Sequence, residues 1–490
     1  MKKLSKKDYK VLGAPTGPLR AEVVVIGSGP GGAITAALLA EAGQDVLLIE
    51  EGQYLELESC EAFSLDEMVQ KYRNGGITPA LGPASVAYVE GKCVGGGSEI
   101  NSGLYHRTPL KIRERWQKEF NVEGLDDSDI NQHFEACEKD VDVSLLPGKA
   151  PKASLKLHNG ALKRGWKSME VPRWYKYAKG AKLPTDGKRK SMTRTYIPRF
   201  LKSGGTMLPE TRIMRLKRHT KGWRVTGTHK NGAHVEIEAD VVFSCGGAIQ
   251  TPALLLRSGI NYNIGQSLQL HPTVKVTARF SDVINQPGMG VPVHQVKEFS
   301  PDLSFGCSIS SLPYLELAMT DHPWHMREVE ENWPRMGIYY GMITTNTVGT
   351  IRTVPFFKDA LVRYKLNKAD MRLLSDGMRK LCEMLFETGA QALFPSVRGM
   401  EPIWTPENLS RIPAMLPFGK TNLMTIHLFS SCPMGEHIGR TATNSFGKVR
   451  TQKDLYISDA SLICTAPGVN PQGSVMAYAR RNALKFLGKL

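Results

Sequence analysis

Apolar and polar positions divide the chain into segments of two kinds. Residues 23–26 form an unbroken apolar run of the sort buried on both faces of a parallel sheet. An alanine-rich stretch over 33–42 predicts a helix that can lie close to that sheet, and 46–49 is a second buried run. Together they predict strand, glycine turn, helix, strand. The stretch from 211 to 248 alternates short strand-like runs with Lys-Gly and Asn-Gly turns, which predicts a β-meander. It runs into 241–245, another buried strand, before Gly246-Gly247. From about 276 to 357, β-patterned runs alternate with loops rich in proline and glycine, and "IYYGMITTNTVGTIRTV" reads as a hairpin. At 369–389 the period changes. Met371, Leu374, Met378, Leu381 and Leu385 fall on one helical face that reads as core, with Gly389 at the stop.

At 490 residues the chain has room for about two or three domains. No run approaches the roughly 18 apolar residues of a membrane helix. The opening "MKKLSKKDYKVLGAPTGPLR" is basic but lacks the apolar core of a secretory signal, so it reads as a frayed arm. Eight scattered cysteines without a CxxC pair argue against a zinc ribbon and suit a reducing compartment. A cytoplasmic location is expected, with peripheral contact to an acidic membrane surface as a variant. The net charge of +16 is uneven, because residues 149–230 hold 23 Lys and Arg against Glu170, Asp186 and Glu210. Such a segment is either a solvated face or an attractor for an anionic substrate, acidic headgroups or an acidic redox partner. No nucleic-acid module accompanies it, so no nucleic-acid partner is expected.

Gly27-Ser28-Gly29-Pro30-Gly31-Gly32 fits G-x-G-x-x-G through Gly27, Gly29 and Gly32, and Glu50 follows the second strand. The first glycine permits the tight turn, the second lets backbone approach a pyrophosphate, and the third lets helix and strand pack closely. The diphosphate would face a helix N-terminus, and Glu50 would accept ribose hydroxyls. Such a motif does not separate NAD from FAD. In "GKCVGGGSEINSGLYHRTP", Gly95, Gly96 and Gly97 make sense where backbone lies against a bulky ligand. "DHPWHM", with Asp321, His322 and His325, reads as a turn, and no metal is expected.

With these motifs in place, the chain resembles the glucose–methanol–choline (GMC) oxidoreductases, a family of FAD enzymes. The likeness covers nearly the whole length through "VVVIGSGPGG", "VLLIEEG", "GKCVGGGSEIN", "CGGAIQTPALLLRSGI", "IGQSLQLHP", "HLFSSCPMG" and "DASLICTAPGVNPQGS". Within the family, "GGGSEIN", "LRSGI…IGQSLQLHP" and "VRYKLNKADMRLL" are most similar to long-chain alcohol oxidases and cholesterol oxidases. The resemblance implies an α/β fold. A Rossmann-like FAD-binding domain with a central parallel sheet and β-meander is expected from 1–135, 190–275 and 425–490. A substrate domain whose antiparallel sheet roofs the flavin is expected from 136–189 and 276–424.

The resemblance also implies roles. His427 and Asn470 match the pair opposite the flavin's reactive edge. His427 is expected to take the hydroxyl proton of an alcohol as hydride passes to flavin N5, while Asn470 hydrogen-bonds the same oxygen. The helix opening at Pro471, Gln472 and Gly473 is expected to aim its positive end at the flavin's N1/C2=O edge. Asn101 and Gly103 match the flavin or diphosphate lining, Ile213 the adenine contact, and Asp459 with Ala460 the ribityl–diphosphate region. His271 and His437 are expected to be structural. Members that attach FAD covalently through the glycine-rich motif carry histidine where Ile100 stands, which implies non-covalent FAD. Thr108 and Asn261 depart from the family pattern in loops. The implied partners are a small alcohol, anionic or lipid-like, and an electron acceptor: O2, a quinone or a redox protein. A non-redox FAD lyase on the same fold, a flavin-binding protein without turnover and an NAD-dependent dehydrogenase are the alternatives.

Overall fold

The computed structural model describes residues 10–182 and 186–490. Its first sheet has seven strands and grows around Leu19–Ile26. This strand pairs in parallel with Val46–Ile49 on one side and with His234–Ser244 on the other. The helix Pro30–Glu41 connects the first parallel pair. Val23, Val24 and Val25 are buried, as a central strand covered on both faces requires. His234–Ser244 is shared lengthwise. Its first half pairs antiparallel with Gly222–His229, and Val242, Phe243 and Ser244 pair in parallel with Leu455–Ile457. Thr211–His219 completes the meander through the Lys-Gly turn.

The second sheet has nine strands and is mostly antiparallel, with Thr273–Phe280 near its centre. Alternate residues of a strand face opposite sides. Val274, Val276, Ala278 and Phe280 therefore pack with Met371, Leu374, Met378, Leu381 and Leu385 of the helix Lys368–Glu387 in one core. Thr273 and Lys275 face the other way, into a cavity shared with the first sheet. Ile338, Tyr340 and Met342 do the same from Met336–Ile343.

Four expectations change. "IYYGMITTNTVGTIRTV" is not a hairpin: Met336–Ile343 lies between Thr273–Phe280 and Leu303–Cys307, and Gly349–Arg352 pairs with Leu361–Tyr364. The first of these strands is buried almost throughout, and a partner on each side satisfies its backbone there. The start of the chain from Lys10 is not an unpacked arm, because the Leu12 N–H bonds Met207 O at 2.8 Å and Leu19 already pairs with Ile237; residues 1–9 lie outside the described residues. The proposed division at 135 falls inside the helix Asp127–Asp140, and Thr78–Ala80 and Val86–Tyr88 join the nine-stranded sheet.

The basic segment is the fourth. Much of its charge is paired, mainly with acids from elsewhere in the chain: Arg164 with Glu383 and Glu387, Arg199 with Glu41 and Asp140, Arg212 with Glu51 and Asp359. Within it, residues 182–194 form a basic cluster in which Lys190 meets Asp142 and Arg194 meets Glu58. Part of that cluster, 183–185, lies outside the described residues. Among the described residues no helix is long and apolar enough to cross a membrane.

The helix Lys368–Glu387 is held at its start by a capping box, in which Asn367 accepts from the Ala369 and Asp370 N–H groups and Asp370 accepts from the Asn367 N–H. Asn367→Ala is expected to cost about 1 kcal/mol, read as a lowered thermal unfolding midpoint. An unchanged midpoint would show that tertiary packing alone holds the helix start.

Candidate active site

One cavity of about 470 Å³ runs from the first glycine turn to His427 and Asn470. Gly27, Ser28, Gly29, Pro30 and Gly31 line one end with Glu50 and Ile213. The glycines are dictated by backbone proximity. A Cβ on Gly31 would lie 1.9 Å from Ser458 O, and one on Gly96 would lie 2.8 Å from Gly29 Cα. Gly27 also has φ +104°, a conformation that L side chains rarely adopt. This cradle of backbone at a helix N-terminus suits a diphosphate.

Glu50 both lines the cavity and ties the turn together. Its carboxylate accepts from the Ser28 N–H at 3.0 Å, Ser28 Oγ at 2.7 Å and the Gly52 N–H at 2.8 Å. Burial pushes its pKa up, and these bonds oppose the rise. Ser28 Oγ accepts in turn from the Gly95 N–H at 3.1 Å, which joins the two glycine-rich loops. Gly96, Gly97, Asn101, Gly103, Asp459, Ala460, Pro471 and Gln472 also line the cavity. Asn101 Nδ2 donates to Gln472 Oε1 at 2.6 Å, so it pins the start of the helix Gln472–Phe486.

Three expected cofactor residues act from behind the wall or through the protein. Gly32 and Gly95 are not among the lining residues. A Cβ on Gly32 would lie 1.8 Å from Gly27 O, so this glycine serves helix–strand packing; one on Gly95 would meet Glu99. Asp459 reaches the cavity wall, but its carboxylate accepts from the Gly247 N–H, Thr251 Oγ1 and Ser461. It shapes the loop that carries Ala460.

At the other end, His427 follows Leu423–Thr425 and precedes Leu428–Phe429. Its backbone N–H donates to Thr425 Oγ1 at 3.1 Å. Asn470 Nδ2 lies 3.3 Å from His427 Nε2. Three residues that the sequence did not single out for the site complete it. His271 Nδ1 is 3.0 Å from His427 Nδ1, so His271, expected to be structural, touches the central histidine directly. Gln295 Nε2 donates to Asn470 Oδ1 at 3.0 Å, and Gln295 Oε1 is 3.1 Å from His106 Nε2. The contacts of His271 follow from register: Leu270 pairs with Leu428 and Thr273 with Met424, which leaves His271 and His427 facing between them. "LHP" beside "IHLF" was the available signal, but pairing two segments this far apart is not legible in one sequence.

Burial pushes His427 down to about 3, helped by the charge of Lys297. His271 is held well below its ordinary value by burial, then by His427 and Lys297. Lys297 is itself lowered to about 8 by burial, and among the described residues its Nζ has no hydrogen-bond partner. Both imidazoles are thus neutral near pH 7.

Most of the chain is similar to known proteins. Models of the GMC oxidoreductase family match residues 68–273 and 355–479, and an FAD-binding-domain model matches 20–79. An uncharacterized GMC-type oxidoreductase of Sinorhizobium fredii is 36% identical over 95% of this chain and 94% of its own. A long-chain-alcohol oxidase of Arabidopsis thaliana is 25% identical over 94% of this chain and 67% of its own. The crystal structure of a pyridoxine 4-oxidase from Mesorbium loti shares the fold, with a TM-score of 0.73 at 17% identity over 96% of this chain and 99% of that one. The chain belongs to the GMC oxidoreductase family, whose cofactor is FAD.

Proposed function

We propose that the protein oxidises the CH–OH group of an alcohol to an aldehyde or ketone. The observation that carries this is the pairing of His427 with Asn470, side by side at one end of the cavity whose other end is the glycine cradle. FAD, when bound, supplies the hydride acceptor. The part of the chain is to hold the hydroxyl oxygen and exclude water. The separation of 3.3 Å between Asn470 Nδ2 and His427 Nε2 lets one oxygen touch both. The buried, neutral imidazole suits a dry site where such contacts are strong.

The walls bear on which alcohol enters. Met68, Leu317, Ile338, Met342 and Met424 suit an apolar body. Lys275 stands among them, its ammonium disfavoured by burial and only partly offset by the charge of Asp321. Among the described residues no carboxylate forms an ion pair with it, and an anionic group on the substrate would relieve that burial cost. This favours an amphiphilic alcohol with an anionic end over a neutral one. The alternative, a non-redox lyase, shares the cradle but predicts no net reduction of the flavin by an alcohol.

Anaerobic mixing with aliphatic alcohols, sterols, sugars and hydroxy acids is expected to bleach the flavin with at least one class. A flavin that stays oxidised with every alcohol would exclude the oxidation reading. Lys275→Met is expected to lower kcat/KM for an acidic alcohol and leave that of its neutral analogue nearly unchanged; an equal loss for both would remove the anionic preference.

The role of His427 predicts that His427→Ala keeps FAD yet slows flavin reduction about 10²–10³-fold, as loss of one polar contact to a charged transition state does. Asn470→Ala is expected to lose less. Stopped-flow absorbance of the flavin band reads both, and a His427→Ala variant as fast as the parent would displace the site.

Ile100 leaves no histidine for covalent linkage in the glycine-rich motif. Acid precipitation is therefore expected to release yellow FAD into the supernatant. Colour retained on the pellet would contradict non-covalent binding.

A further inference from the structure

We infer that the substrate is a hydroxy acid with its hydroxyl and carboxylate at opposite ends of a chain of about six to nine carbons, measured by the row Gln295, Tyr340 and Lys275 of the nine-stranded sheet. This deepens the reading of the protein as an alcohol oxidoreductase and rests on it.

Register sets the row. Gln295 pairs with Gly306, Gly306 with Tyr340, and Tyr340 with Lys275, each pair antiparallel. Residues directly opposite one another on such strands share a face, so Gln295, Tyr340 and Lys275 project side by side toward the cavity. Three gaps of ~4.8 Å put the Cα atoms of Gln295 and Lys275 about 14 Å apart. At one end Gln295 Nε2 donates to Asn470 Oδ1 at 3.0 Å, and Asn470 lies beside His427. At the other end stands Lys275. The charge of Asp321 acts on it, but among the described residues no carboxylate forms an ion pair with it.

Tyr340 occupies the middle. A Cβ on Gly306 would collide with the Tyr340 ring, so the ring lies over that glycine. Its hydroxyl accepts from Gln295 Nε2 at 3.2 Å. The ring thus leans toward the Gln295 end and leaves the lysine side clear. Ile338 and Met342 stand two residues to either side of Tyr340 on its strand and also line the cavity. Between its two polar ends the sheet therefore presents an aromatic ring flanked by aliphatic side chains, which suits methylenes.

Taking a hydrogen-bond distance of about 3 Å from each end of the row leaves roughly 8 Å for the substrate. An extended carbon chain advances about 1.3 Å per bond, and the swing of the lysine stem widens the result to the stated range. A 2-hydroxy acid carries its carboxylate beside the carbinol and leaves Lys275 unpaired. The carboxylate takes no part in the reaction. The carbinol end loses a hydride to FAD and its hydroxyl proton to His427, giving an oxo acid of the same length.

The test is anaerobic reduction of the FAD-loaded enzyme by ω-hydroxy acids of increasing length, by their methyl esters and by 2-hydroxy acids. The second-order rate constant for the acids is expected to peak at about six to nine carbons. At the peak it should exceed that of the ester about 10–100-fold, the range for a hydrogen bond to a charged group. The esters should show no such peak. Lys275→Met is expected to erase it, and Thr273→Lys added to Lys275→Met, which places an ammonium on the same face nearer His427, to bring it back at shorter acids. Unsubstituted alkanoates cannot be oxidised, and calorimetric titration is expected to show them binding the parent more tightly than Lys275→Met. A 2-hydroxy acid as the best substrate, acids no better than their esters at every length, or a peak that survives Lys275→Met overturns the proposal. If Lys275→Met does not fold, the acid and ester series on the parent decides. Esters that bleach the flavin while the acids show no peak would sink the ruler and leave alcohol oxidation standing. A flavin that no alcohol bleaches removes the functional reading and the ruler with it.

Discussion

Two segments far apart in the chain, 269–273 and 423–429, cross where the two sheets meet, and their backbone pairing sets the reaction end of the cavity. Gln269 and Leu270 pair with Phe429 and Leu428, while Thr273 pairs with Met424 inside the nine-stranded sheet. Between those pairs His271 and His427 are forced together. Beyond the crossing, the chain after Phe429 docks on the first sheet's loops, as when Ser431 Oγ donates to Ala248 O and the Cys432 N–H to Ser461 O. One crossing therefore orients the central histidine and joins the antiparallel roof to the glycine cradle. A slip of one residue would turn His427 away from the cavity, because strand side chains alternate.

Burial then sets the chemistry of what the crossing brings together. His106, His271 and His427 are all driven toward the neutral form, chiefly by desolvation. Lys297 adds a positive field, with no carboxylate bonded to it among the described residues. Protonating any of the three imidazoles would add a second charge to a site already holding an unpaired one. A neutral histidine beside a buried cation is suited to an oxygen that becomes negative. Carboxyls gather instead at the cofactor end, where Glu50, Glu51 and Glu90 line the wall and Arg73 bonds Glu51 and meets Glu90. These carboxyls are balanced by Arg73, Arg212 and Arg257 on the same wall.

Formal charge counted along a segment misstates the surface that it builds. The stretch 149–230 is strongly basic in the sequence. In the fold, Arg164, Lys190, Arg194, Arg199 and Arg212 meet acids from other parts of the chain. Exposed pairs of this kind add little stability. They do lower the like-charge repulsion within the segment.

The sequence by itself determined whatever depends on local period and local backbone demand. The buried run, glycine turn and alanine-rich helix of 19–41 and the helix of 368–387 are periodic over their own length. The glycines of the cradle are legible because positive φ and close approach exclude other residues at those places. His427 and Asn470 were reachable through ordered family motifs, as neither has a local pattern that marks it. What only the tertiary structure decided is partnership. An alternating run such as 336–343 specifies which side chains face inward but not which strands lie beside it, so the expected hairpin gave way to pairing with distant strands. His271 and Gln295 belong to the site through hydrogen bonds spanning 156 and 175 residues. No periodicity records such contacts, because they arise when two sheets close on one cavity and leave each buried polar group a single place to bond.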